Sequence, residues 1–142
     1  NSVILPGVYI EGNAVIGKNC KIGPNCYIRG NTTIGDNCRI GQAVEVKNSI
    51  IMDNVAAAHL AYIGDSVVCS HVNLGAGTVV SNLRHDNNNH RYRIGHMILE
   101  TDRRKFGAVI GENVSTGIHT AIYPGRSLAP GVVTEPGEIV RG

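Results

Sequence analysis

Aliphatic residues recur along the first third of the chain with a period that suits neither a helix nor a hairpin. Ile4, Ile10, Ile16, Ile22, Ile28, Ile34, Ile40 and Val46 succeed one another at steps of six. Gly17, Gly23, Gly35 and Gly41 stand directly after members of this set, and Asn19, Asn25 and Asn37 come two positions later. Small or β-branched residues (Val8, Ala14, Cys20, Cys26, Thr32, Cys38, Val44) stand four positions after the aliphatics. An amphipathic helix repeats its apolar stripe at three and four, and a hairpin sheet alternates strictly between paired turns. A period of six predicts an all-β fold, a left-handed parallel β-helix of hexapeptide repeats. Each hexad supplies a short strand and a corner, and three hexads close one triangular coil. Gly and Asn are expected at the corners because the backbone there approaches left-handed conformations. The aliphatics should point inward, each stacked about 4.8 Å from its counterpart in the next coil.

The set continues with Ile51, Ala57, Ile63, Val68, Leu74 and Val80. The steps from Val46 to Ile51 and from Ile63 to Val68 are five; each drops one corner residue and is expected to re-aim the strands after it. From Asn82 to Gly107 the period disappears, and it resumes at Ile110, Thr116, Ile122, Leu128, Thr134 and Val140. The expectation is one β-helix domain, residues 1–142, with a long loop at about 81–107. Loops of this length in compact domains are usually functional or disordered. Pro6, Pro24, Pro124, Pro130 and Pro136 fall in or beside corners, where no ladder N–H is lost. The pattern decays over Glu135–Gly142, as in a terminal coil. Flat faces around a thin core predict a homotrimer with cyclic symmetry.

Composition narrows this little. A net charge of +2 and a pI near 8.4 argue against a dedicated nucleic-acid binder. No apolar run is long enough for a membrane span, and no signal peptide is evident, so a cytoplasmic location is expected. The chain begins at Asn1 and enters the repeat almost at once, which reads as a piece of a longer polypeptide. Cys20, Cys26 and Cys38 share the small inward position and read as buried hydrophobes; zinc sites pair cysteines two to four residues apart. His85 and His90 have a spacing used by metal-binding carbonic anhydrases of this repeat class, but they fall in the aperiodic segment. No metal is expected, and the pair reads as part of a solvated loop. With Arg84, Arg91, Arg93, Arg103, Arg104 and Lys105, that loop is basic enough to suit phosphate groups.

Polar residues crowd the stretch Glu45–Asn82, where the period slips. It carries E-V-K (Glu45–Lys47), H-L-A-Y-I-G-D (His59–Asp65) and N-L-G-A-G-T (Asn73–Thr78). Together these resemble the acetyltransferase domain of bifunctional glucosamine-1-phosphate acetyltransferase/N-acetylglucosamine-1-phosphate uridyltransferases. The later run from Arg103 to Gly125 is similar to the archaeal sugar-1-phosphate nucleotidyltransferase/acetyltransferase branch. The resemblance implies N-acetylation of an amino-sugar 1-phosphate by acetyl-CoA. It implies His59 as general base toward the sugar amine, assisted by Glu45; an imidazole titrating near neutrality suits that task. It implies Arg29 and Lys47 on the sugar phosphate, Tyr62 and Asn73 on the sugar or intermediate, and Asn82 holding the reacting centre and oxyanion. Acetyl-CoA would lie outside the coil between two subunits, against Gly75, Ala76, Gly77, Arg91 and Gly117. An N-terminal nucleotidyltransferase domain would belong to the parent chain.

The sequence departs from those relatives at Leu83, where bacterial members carry a Tyr. It departs also at Asn88 and Arg91, where archaeal members carry lysines, and at Ile118, the place of a CoA-contacting Ser. Two other functions share the fold: a non-catalytic trimerising domain of a sugar-nucleotide pyrophosphorylase, and a metal-dependent hydratase.

Overall fold

The computed structural model describes residues 1–142 as a left-handed β-helix without any helical segment. The first face stacks Val3–Ile4, Lys21–Ile22, Arg39–Gln42, Ala56–His59, Asn73–Leu74 and Ser115–Thr116 in parallel. The second face has seven strands and the third six, also parallel. Register obeys the repeat. Ile22 lies against Ile40 and Ala57 against Leu74 on the first face, Ile28 against Val46 and Ile63 against Val80 on the second. These inward side chains form one continuous core of buried Ile, Val, Leu, Ala and Cys.

The corners divide their requirements between two positions. Asn19, Asn25, Asn31, Asn37 and Asn54 have positive φ, between 50° and 59°, the left-handed conformation that Asn tolerates. Gly17, Gly35 and Gly41 do not; they are glycine for lack of space. A Cβ on Gly41 would lie 1.9 Å from the carbonyl oxygen of Ala58 in the next coil, and one on Gly35 would lie 2.8 Å from the carbonyl carbon of Met52. The expectation that Gly and Asn share one conformational role thus resolves into two.

The buried cysteines act as part of the stack. Cys20 Sγ lies 3.0 Å from Gly35 O, and Cys38 Sγ 3.0 Å from Met52 O. All four cysteines are free, and burial pushes the Cys38 thiol up to about 11.

The two five-residue steps do not re-aim the chain. Both are absorbed at the corner between the second and third faces, and the columns run on unbroken: Ile51 pairs with Val68 and Val46 with Ile63. At these shortened corners the left-handed residue arrives one position early, at Asn48 (φ 46°) and Asp65 (φ 51°). Serines then supply the missing corner bonds. Ser49 Oγ accepts from Ser66 N at 3.1 Å, and Ser66 Oγ accepts from Ala108 N at 3.0 Å. The long loop leaves from the same corner after Val80 and re-enters at Ala108–Ile110.

That loop holds an antiparallel hairpin, Arg91–Ile94 with Met97–Glu100, turning at Gly95 (φ 59°). Gly95–His96 between two β-favouring tetrapeptides is a two-residue hairpin signal, one that lies outside the sixfold period. The loop is also not wholly solvated, contrary to the sequence expectation. His90 is 2% exposed and packs on Phe106 with ring centroids 6.0 Å apart, while Tyr92 meets the same ring edge-on. His90 N–H donates to Arg103 O at 2.8 Å.

This packing has measurable consequences at a corner and in the loop. Gly41→Ala forces side chain into backbone and should cost about 1–3 kcal/mol, read as a lower denaturation midpoint. Burial holds the His90 imidazole below its ordinary value, against a smaller opposing influence of Asn82. A depressed histidine favours the folded state above the unfolded pKa of about 6.5, and that contribution is lost as pH falls through the folded value. Amide protection factors across the loop, taken relative to the intrinsic exchange rate at each pH, should therefore fall as pH drops below about 6.5, and His90→Leu should flatten that dependence.

Candidate active site

The shortened corners bring together side chains from three coils. Arg29, Lys47 and Gly64 occupy one outward column of the second face, since Gly64 pairs with Lys47 and Arg29 extends the strand that pairs with Glu45–Lys47. Tyr27, Glu45, Tyr62 and Val79 form the neighbouring column. Arg29 is held by Glu45 at 3.0 Å and by Glu11 at 3.8 Å, and its guanidinium lies over the Tyr27 ring. Both side chains of the Arg29–Glu45 pair are about one-third exposed, so the pair positions more than it stabilises.

One coil further, Asp65 is the centre of a denser network. Its side chain is 7% exposed. It accepts from Lys47 Nζ at 2.9 Å, from Asn48 Nδ2 at 2.7 Å and from Asn82 Nδ2 at 2.5 Å. Asn82 Nδ2 also donates to Tyr62 Oη at 3.0 Å. Burial, the largest single influence on Asp65, pushes its carboxyl up. The hydrogen bonds from Asn48, Lys47 and Asn82 and the charge of Lys47 together outweigh it and hold the group below the ordinary carboxylate range. Asp65 is therefore ionised and acceptor-only at neutral pH.

Beside this network opens a groove of about 680 Å³ with no hydrophobic lining, formed by residues including Glu11, Arg29, Asn31, Lys47, Asn48 and Arg103. Arg103 comes from the loop. Whereas Arg29 and Lys47 have carboxylate partners, no ion pair engages Arg103. Three cations converge on polar walls, an arrangement suited to a phosphate group.

The structure thus gathers Arg29, Glu45, Lys47, Tyr62 and Asn82. It sets His59 apart, at the corner between the first and second faces. His59 ends the strand Ala56–His59 opposite Gln42, and its side chain is solvent-exposed. Glu45 bonds Arg29; no hydrogen bond joins it to His59. Gly75, Ala76 and Gly77 form the next coil's corner directly along the stack, with Gly77 N donating to His59 O at 3.3 Å. A Cβ on Gly75 would lie 2.6 Å from Thr116 O, so packing requires that glycine, whereas Gly77 has a left-handed backbone (φ 74°) and would also bring a Cβ 2.5 Å from the His119 ring. Gly117 is similarly confined, its Cβ position 2.6 Å from Pro136 N. This corner column therefore offers small residues beneath an exposed imidazole. Asn73 is exposed on the first face, between Ala56 and Ser115. Arg91 stands on the hairpin, paired with Glu100 at 2.8 Å.

Asp65, Asn48 and Arg103 join the site through the fold, without a role implied by any motif. The first two had a signal: each is the left-handed residue of a five-residue step and is followed by Ser. Arg103 had none beyond the general basicity of its loop, because only the loop's path places it opposite Arg29.

Fold and groove together define a hexapeptide-repeat β-helix protein with a polar, cation-lined site at one corner. The family described as "GMPPB C-terminal domain" matches residues 4–135, and the chain belongs to that family. The bifunctional sugar-1-phosphate nucleotidylyltransferase/acetyltransferase of Sulfurisphaera tokodaii is 43% identical over 69% of this chain and 24% of its own length. A bifunctional protein GlmU of Methanococcus maripaludis is 39% identical over 87% of this chain and 25% of its own. The chain therefore spans about a quarter of these relatives. They bear out the resemblance read in the sequence, archaeal branch included. Among solved structures, WeeI from Acinetobacter baumannii superposes with a TM-score of 0.71 at 18% identity, covering 94% of this chain and 54% of that one. A mutant of GDP-perosamine N-acetyl transferase from Caulobacter crescentus, in complex with CoA and GDP-perosamine, gives 0.56 at 16% identity, covering 93% and 51%. These two share the fold.

Leu60, directly after His59, takes the left-handed corner conformation (φ 53°) while 61% exposed. Most other corners place Asn or Gly there. Leu60→Asn should stabilise the chain by about 1 kcal/mol, measured as a raised unfolding midpoint, because little packing is lost.

Proposed function

We propose that this chain transfers an acetyl group from acetyl-CoA to the amine of an amino-sugar 1-phosphate, either glucosamine-1-phosphate or its galactosamine epimer. The observation that carries the reading is the groove where Arg29, Lys47 and Arg103 converge beside the Tyr62–Asn82 pair. A sugar phosphate would seat its anion on the three cations and its ring toward Tyr62 and Asn82. His59 would take the proton from the amine as nitrogen attacks the thioester carbonyl; the tetrahedral intermediate would then collapse with release of CoA thiol.

His59 and the cation groove lie at opposite edges of one face, so the reading includes a homotrimer in which edges of neighbouring subunits meet. Acetyl-CoA would run along the His59 corner, past Ala76 and the glycines, between two subunits. The names of the relatives, and the quarter of their length spanned here, support a parent polypeptide that also carries a nucleotidyltransferase domain. On this reading the product feeds a sugar-nucleotide synthesis.

Thiol release with each amino-sugar 1-phosphate tests the proposal. His59→Ala should lower kcat by about two to four orders of magnitude. Arg103→Ala should raise KM for the sugar phosphate by roughly tenfold or more with KM for acetyl-CoA unchanged, as loss of one charge-assisted contact requires. A chain that trimerises yet neither releases thiol nor binds CoA would return the domain to a purely assembling role.

A further inference from the structure

We infer that Asp65 is a positioning residue that fixes the hydrogen-bond polarity of the site, turning the Asn82 carbonyl and the Tyr62 hydroxyl proton toward the substrate. Asp65 is nearly buried and receives three donors. An ionised carboxylate can only accept, so the Asn82 amide must face it with nitrogen rather than oxygen. Assignments of amide orientation rest on such networks, and here an acceptor-only partner leaves one choice.

The second hydrogen of Asn82 Nδ2 goes to Tyr62 Oη. Tyr62 therefore accepts inside the network, and its own proton has no protein acceptor. Asn82 Oδ1 likewise receives no donor from the protein, so this side chain turns an acceptor toward the substrate and not the donor that holding an oxyanion would need. The chain thus offers one acceptor and one donor side by side. A bound group must give an N–H or O–H to Asn82 and present a lone pair to Tyr62. An amine beside a hydroxyl or a carbonyl oxygen meets both demands.

Gly64 makes the arrangement possible. It lies in the outward column between Lys47 and Ser81, and a Cβ there would fall 2.6 Å from Tyr62 Oη and 2.7 Å from Asn82 Nδ2. Its φ is not positive, so space alone demands the glycine. Asp65 also ties the return of the loop, since Gly107 N donates to Asp65 O at 2.8 Å. Its side chain holds Lys47 as well, so one carboxylate aligns the anion-binding and the amine-facing groups.

The inference rests on the acetyl-transfer reading for its kinetic arm only. Asp65→Asn keeps the shape but adds donors, so the Asn82 amide is free to reverse. It should lower kcat roughly ten- to hundredfold, as loss of a charge-assisted bond in the transition state would, with KM for acetyl-CoA within about twofold. In an Asn82→Ala background the same change should have a markedly smaller effect on kcat, since the two act as a unit. A role confined to folding would instead lower the unfolding midpoint and leave kcat unchanged, and that result would overturn the inference.

The spectroscopic arm needs no turnover. In the unsubstituted chain both Asn82 side-chain amide protons should be protected from exchange near neutral pH, and Gly64→Ala should release the one that meets Tyr62. Freely exchanging Asn82 amide protons in the unsubstituted chain would overturn the inference even if Asp65→Asn failed to fold. Protected protons in a chain that acetylates no amino-sugar phosphate would leave the lock standing and dismiss the acetyl-transfer reading.

Discussion

The close approach of one coil's backbone to the next governs everything else in this protein. Parallel strands must hydrogen-bond at about 4.8 Å all around a triangular section, so the corners have no room for side chains. That single constraint requires glycine at positions such as Gly41 and Gly75, where a Cβ would meet backbone atoms of the next coil at 1.9 and 2.6 Å. It also requires a left-handed residue at each turn. The core is thin as a consequence, and its inward positions accept Ile, Val, Cys, Thr or Ala according to the width available.

The candidate site lies where this constraint is relaxed. At the corner between the second and third faces, two successive turns lose a residue, Ser49 and Ser66 take over the corner hydrogen bonds, and the next turn opens into the long loop. The left-handed positions then fall to Asn48 and Asp65, which bond one another. Polar side chains that would elsewhere be outward decoration become partners of a nearly buried carboxylate. The corner thus converts a repeat built from apolar stacking into a fixed set of donors and acceptors. The loop adds an uncompensated cation from outside the repeat.

The opposite corner shows the complementary strategy. His59 comes after a run of small residues, has no side-chain partner within the chain, and overlies glycines that packing and backbone conformation already demand. Nothing in the chain itself orients the imidazole. The edge that carries Arg29, Lys47 and Arg103 is internally braced, whereas the imidazole edge is left open to whatever approaches it. This asymmetry gives the proposed assembly between subunits a physical motive.

Much of this was legible in the residues alone. A period of six with glycine and asparagine at set offsets admits no regular structure but the β-helix, because only stacked corners demand those residues so often. The register of Ile22 on Ile40, the burial of Cys20 and Cys38, and the extent of the loop came from counting. The clustering of polar residues within Glu45–Asn82 was visible too, and the resemblance supplied roles for them. Counting could not supply direction. The five-residue steps looked as though they would shift the columns; in three dimensions a corner absorbed them, since corners can shorten while paired strands cannot slip without turning the core outward. The hairpin at Gly95, the burial of His90 against Phe106, and the meeting of Arg103 with Arg29 depend on how an aperiodic loop folds back, which no repeat encodes. The sequence alone determined the scaffold, because its constraint is local and recurs in every coil. Only the tertiary structure decided which side chains share a site, because Asp65 reaches Lys47 and Asn82 through contacts between coils rather than along the chain.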